Sequence, residues 1–124
     1  MIALLDTHAL LWSLENSRKL STVARKVIED GSHVILASAA SGWEIAIKSG
    51  LGRLATPGNL EAAIESAGFT RRTITFADVR RIQALPRHHR DPFDRMLVAQ
   101  ALEDGVPIIT RDDQIRRYPV QVIW

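Results

Sequence analysis

Residues 2–5, Ile-Ala-Leu-Leu, make an uninterrupted apolar run that stops at Asp6, and a helical spacing of Leu10, Leu11 and Leu14 follows almost at once. A short continuous apolar run closed by a polar residue reads as a strand buried on both faces. Asp6 then stands where a buried parallel strand ends and a helix begins. In open α/β sheets that end of the strands is where ligands bind.

The alternation continues along the chain. After the first helix (9–15), Asn16-Ser17 makes a turn, and a second helix runs from about Leu20-Ser21 to Glu29, with Val23, Val27 and Ile28 on one face and Gly31 just beyond its end. Residues 33–37 read as a second strand, 38–48 as a helix with Trp43, Ile45 and Ile47 apolar, 53–58 as a loop, and 60–67 as a short helix closed by Gly68. Residues 71–74 read as a weak strand at or near a sheet edge. Thr75-Phe-Ala-Asp78 is a capping box that opens a helix, and Pro86 breaks it. After the polar stretch Arg87-His-His-Arg90, Asp91-Pro92 starts a helix with proline at its first position, running to about Glu103. A strand (106–109), a short helix (112–117) and a last strand (120–123) complete the reading. Strands alternating with helices predict one domain, residues 1–124: a three-layer α/β/α sandwich with a mostly parallel sheet.

Composition narrows the function classes. The chain has no cysteine, which excludes disulfides and thiolate metal sites. No apolar run approaches the ~20 residues needed to span a bilayer. The start lacks the basic region of a secretory signal, and a cytoplasmic protein is expected. Of the 16 basic residues, 13 are arginine, the residue that suits bidentate contact with phosphate. A basic surface around an acidic hole would attract a polyanion and still hold a cation. Arginine-rich composition taken alone is equally well explained by a GC-rich genome.

Four carboxylates fall at helix starts. Asp6 follows the first strand, Glu44 lies early in the helix after the second, Asp94 lies in the first turn opened by Asp91-Pro92, and Asp112 follows the strand ending at Ile109. Right-handed crossovers bring these positions to one rim of the sheet. Each has a plain explanation, because acids favour helix N-termini by about 0.3–1 kcal/mol. Ser41-Gly-Trp-Glu44 fits a capping box, and Asp94 sits three residues after a plausible cap, Asp91. Four carboxylates around one crevice, however, repel one another unless a cation is present. Hard oxygen donors select Mg²⁺ or Mn²⁺, which can activate water and stabilise the charge of an in-line phosphoryl displacement.

Four segments carry a family resemblance: Asp6-Thr-His, Ser38-Ala-Ala-Ser-Gly-Trp-Glu-Ile-Ala-Ile-Lys48, His89-Arg-Asp-Pro-Phe-Asp-Arg-Met-Leu-Val-Ala-Gln-Ala101 and Ile109-Thr-Arg-Asp112. In order and spacing they resemble the PIN-domain ribonucleases, and most closely the VapC-type toxins of toxin–antitoxin pairs. The Asp-Pro-Phe-Asp-Arg block is the most specific piece. The resemblance implies that Asp6, Glu44, Asp94 and Asp112 are catalytic and bind metal. It also implies an Mg²⁺- or Mn²⁺-dependent RNA endonuclease, an antitoxin protein as inhibitor, and a homodimer. The chain departs from the pattern at Gly42, where relatives tend to carry an apolar residue.

Around the acids, Thr7 and Thr110 could orient a carboxylate or a water, although Thr110-Arg-Asp-Asp113 also reads as a capping box that would leave Asp112 free to face a metal. Arg87, Arg90, Arg95 and Arg111 are the candidate RNA-binding residues, with a structural bridge to an acid as the equal alternative for Arg95. His88 and His89 read as surface residues beside the site, and His8 as packed on the first helix. Trp12, Trp43 and Trp124 read as core or subunit interface. The rival class is a non-catalytic RNA- or protein-binding module on the same fold, which would not need the complete acidic set.

Overall fold

A computed structural model describes residues 1–52 and 58–124. Most of the expected loop at 53–58 therefore lies outside the described residues. Among those residues the elements run β1 (Ile2–Leu5), α1 (Thr7–Leu14), α2 (Thr22–Glu29), β2 (Val34–Ser38), α3 (Ala39–Gly50), α4 (Leu60–Ser66), β3 (Thr70–Arg72), α5 (Phe76–Ala84), α6 (Pro92–Asp104), β4 (Ile108–Ile109), a 3-10 turn (Ile115–Arg117) and β5 (Val122–Ile123). The strands form one parallel sheet in the order β3-β2-β1-β4-β5.

The apolar run at 2–5 is the sheet's centre. Ile2 and Leu4 lie opposite Val34 and Leu36 on one side, while Leu4 and Leu5 lie opposite Ile108 and Ile109 on the other. Side chains of a strand alternate between faces. Ala3 and Leu5 therefore pack with Ala9, Leu10, Ala24 and Ile64, whereas Leu4 packs with Leu97, Val98 and Ile115. Right-handed crossovers explain the two layers. The chain moves outward from β1 to β2 to β3 with α1, α2 and α4 on one face. It then returns across the sheet to β4 with α5 and α6 on the other. The direction reverses between β1 and β4, which opens a crevice beyond their carboxyl ends.

Two helices bury different faces from those read in the sequence. In α2 the fully buried residue is Ala24, with Val27 and Ile28 partly buried, and Val23 points to solvent. In α3 the buried residues are Ala40, Ser41, Glu44 and Ile45, so Trp43 and Ile47 are exposed. That helix turns its polar side to the crevice, and its larger apolar side chains are displaced outward. The last helix and strands are also shorter than expected, and β3 starts and ends earlier, as an edge strand.

One polar network is built around the fully buried Asp78. Arg72, at the end of β3, donates to both oxygens of Asp78 (2.7 and 2.8 Å) and, through Nε, to Asp104 (2.8 Å). Gln100 accepts from Ser38 (2.5 Å) and donates to the Thr73 carbonyl (3.3 Å), tying α6 to β2 and β3. Among the described residues no helix is long and apolar enough to cross a membrane.

Candidate active site

Asp6 ends β1 and caps α1, and both of its oxygens are engaged. Oδ1 accepts from the Ala9 amide at 2.7 Å and Oδ2 from the Thr110 hydroxyl at 2.5 Å. Burial raises its pKa, and the Thr110 and Ala9 hydrogen bonds only partly oppose that. Thr110 follows β4, the strand beside β1, so this bond spans the crevice between them. The capping box expected at Thr110-Arg-Asp-Asp113 does not form. The helical turn starts only at Ile115, so the Thr110 oxygen accepts instead from the Asp112 amide (2.9 Å), and Asp113 lies almost fully in solvent. Asp112 itself accepts from the Gln114 amide (2.8 Å) through Oδ1.

Glu44 is also placed differently from a capping box. Ser38 caps α3 by accepting from the Ala40 amide, so the helix starts earlier and Ser41 lies inside it. The Ser41 hydroxyl accepts from Thr7 at 3.0 Å, which pins α3 to α1. Glu44 falls one turn further in and is only 4% exposed. Lys48, four residues on, donates to its Oε2 at 2.5 Å. Its Oε1 is buried and has no hydrogen-bond partner among the described residues. The sequence reading did not single out Lys48, although the Glu-to-Lys spacing of four is a standard helix pair.

Asp94 is the third residue of α6. Asp91 caps this helix, accepting from the amides of Phe93 and Asp94. The Asp94 side chain is 15% exposed, and its one hydrogen-bond partner among the described residues is His89 Nε2, 3.4 Å from Oδ2. Its pKa is pushed up to about 8, first by burial and then by the negative charges of Asp91, Asp112, Glu44 and Asp6. The charges of Asp6, Glu44 and Asp112 thus all bear on Asp94.

A cleft of about 170 Å³ opens between Asp6, His8, Trp12, Arg111 and Asp112. The Arg111 guanidinium lies over the Trp12 ring, 4.6 Å from its centroid, and His8 also packs on Trp12. Arg87 and Arg90 are exposed and line a groove with His88 and His89. Arg95 also borders that groove, but its guanidinium bonds the Pro86 carbonyl (2.8 Å) and the Tyr118 hydroxyl (3.1 Å) rather than an acid. Of the tryptophans, Trp12 is core and packs on Trp124, whereas Trp43 is exposed, edge-on to Phe93.

The donor set suits a hard divalent cation: all-oxygen ligands, one of them a buried carboxylate oxygen with no partner among the described residues. The carboxylates are not gathered into a finished cage. Among the described residues no three acidic or imidazole side chains are grouped to hold a metal ion. Thr110, Lys48, His89 and the Gln114 amide each occupy one acid, and binding a cation would release some of these contacts.

Solved structures with this fold include the VapBC2 complex of Rickettsia felis bound to a DNA fragment from its promoter. There the TM-score is 0.70 at 11% identity, covering 98% of this chain and 97% of that one. A toxin–antitoxin complex from Klebsiella pneumoniae matches with a TM-score of 0.60 at 19% identity, covering 89% and 86%. No curated protein matches the sequence at a significant level. The PIN-domain family model matches residues 3–121, and the chain belongs to that family.

Proposed function

We propose that this protein is a divalent-metal-dependent RNA endonuclease, the toxin of a type II toxin–antitoxin pair. The observation that carries the reading is the frustrated acid set at one rim: the Asp94 pKa is pushed up to about 8, first by burial and then by its acidic neighbours, and Glu44 Oε1 is buried with no hydrogen-bond partner among the described residues. A fold keeps such a cluster at a cost in stability, and a cation relieves that cost. Membership of the PIN family and the toxin–antitoxin complexes among the structural neighbours support the choice of activity and biological setting.

Asp6, Glu44, Asp94 and Asp112 would hold Mg²⁺ or Mn²⁺. When bound, such an ion lowers the pKa of water and offsets charge on the phosphate during in-line displacement. The chain's own groups supply position. Thr110 fixes one oxygen of Asp6, and the Thr7–Ser41 bond holds α1, which Asp6 caps, against α3, which carries Glu44. Arg87, Arg90 and Arg111 contact backbone phosphates around the cleft. Arg95 serves mainly to anchor the loop before α6. A cognate antitoxin covers the site, and the protein works in the cytoplasm as a homodimer.

The test is to induce the protein in its host or a close surrogate and map new RNA 5′ ends beside Asp94→Asn. Discrete cuts with the wild type alone are expected, lost in vitro when the metal is chelated. Asp94→Asn or Asp6→Asn cleaving as well as wild type at matched metal concentration would reject the assignment.

A further inference from the structure

Tyr118 is 3% exposed, yet its hydroxyl joins two side chains around the loop before α6. Arg95 Nη1 lies 3.1 Å from the phenol oxygen, and His89 Nδ1 lies 2.8 Å from it. A guanidinium has only donors, so the phenol accepts from Arg95. Its single proton then needs an acceptor, and among the described residues His89 Nδ1 is the one in reach. Nδ1 can accept only if it carries no proton, so the neutral ring has its proton on Nε2. Nε2 stands 3.4 Å from Asp94 Oδ2, at the long end of hydrogen-bonding range. The chain of donors therefore runs Arg95 to Tyr118 to His89 to Asp94.

The loop is anchored from both sides. Arg95 also donates to the Pro86 carbonyl (2.8 Å), Arg117 donates to the His88 carbonyl (3.0 Å), and the His88 ring packs edge-on against Tyr118, with centroids 4.9 Å apart. A surface histidine would not be expected to sit in so defined a frame.

We propose that His89 is a positioning residue. Arg95 and Tyr118 hold it in the Nε2–H tautomer, and that N–H fixes the orientation of the Asp94 carboxylate so that its other oxygen is kept for the cation. The role rests on the reading of Asp94 as a metal ligand given above; the tautomer assignment does not. Partners that orient a ligand in this way set metal affinity, and their loss typically weakens it about 10- to 100-fold.

The tautomer is read by long-range ¹H–¹⁵N correlation of the metal-free, ¹⁵N-histidine-labelled protein, with the His89 signals assigned from His89→Gln. The expected pattern is a protonated Nε2 and a bare Nδ1 in the wild type, with the bias reduced in Tyr118→Phe, which removes the phenol proton and keeps the ring. Mn²⁺ binding is then measured by calorimetry. An affinity loss of about 10-fold or more is expected in His89→Ala, a smaller loss in Tyr118→Phe, and partial rescue in His89→Gln, whose amide can donate near the Nε2 position. A protonated Nδ1 or an even mixture in the wild type overturns the proposal. So does unchanged Mn²⁺ affinity in folded His89→Ala. A wild type that shows the expected tautomer but binds no Mn²⁺ overturns the metal reading and the role built on it, and separates that failure from a wrong tautomer.

Discussion

Asp78 and Asp94 occupy the same position in consecutive helices: each is the third residue of its helix, in a first turn packed on the same face of the sheet. Their electrostatics are opposite. Asp78 is fully buried, and burial alone would raise its pKa. Arg72 and the Thr75 amide more than reverse that, and Asp78 ends below the usual carboxylate range. Asp94 has a single long contact to His89 and four acids for neighbours, and its pKa rises to about 8. The difference teaches that a helix-start carboxylate becomes a fold element or a site element according to what stands opposite it. Asp78 closes a capping box and a salt bridge at once. Asp94 closes neither, and its helix takes its cap from Asp91.

The sharpest way to break this contrast is to remove the counter-ion of the satisfied site. Arg72→Met leaves Asp78 buried without its charge partner, and urea unfolding should show a loss of about 3–5 kcal/mol, the cost of breaking a buried pair. A loss near zero would mean that the Asp78 network contributes no more than a surface bridge.

The pH dependence of stability should separate the two carboxylates by sign. The Asp94 pKa is about 8 in the folded protein against 3.8 for an unperturbed aspartate. Between those values the unfolded chain binds fewer protons than the folded one, so metal-free stability falls as pH rises through that window. The raised Asp6 acts in the same direction. Asp78 is depressed, so its contribution is present above 3.8 and is lost as pH falls through its folded pKa. Melting temperatures recorded from pH 4 to 8 should decline in the wild type and flatten in Asp94→Asn. Equal slopes in the two proteins would deny the repulsion.

Smaller effects probe α3. Lys48→Met strips Glu44 of its only hydrogen-bond donor among the described residues. Metal-free stability should drop by about 1–3 kcal/mol, the cost of leaving a buried acceptor unpaired, and saturating Mn²⁺ should recover most of it. Gly42→Ala should stabilise by about 0.5–1 kcal/mol, since alanine is the better helix former. Among the described residues the added Cβ would meet only the Leu60 Cδ2 methyl, at 3.9 Å. A lower melting temperature would show that α3 needs the glycine for another reason.

The strands, and the places of the four candidate acids near element ends, were legible because both are local signals. An apolar run stops at a polar residue, and caps and first-turn acids follow within a few positions. Long-range hydrogen bonds left no such mark. Thr110 reaches Asp6 across 104 positions, and its oxygen accepts from the Asp112 amide where a capping box was expected. Arg72 reaches Asp104 across 32 positions, so nothing in either segment announced that the Asp78 box would become the centre of a salt-bridge network. In α3 the apolar spacing pointed the wrong way. Trp43 and Ile47 look like a core stripe, but the buried side of the helix is reserved for Glu44 and Ser41.

The most direct test of the central claim is the Mn²⁺ dependence of the melting temperature at pH 7, measured on the wild type beside Asp94→Asn. If the four acids are held against their own repulsion to receive a cation, the wild type starts low and rises saturably with Mn²⁺. Asp94→Asn should start higher and respond far less. Equal shifts in both proteins, or no shift in the wild type, would contradict the account.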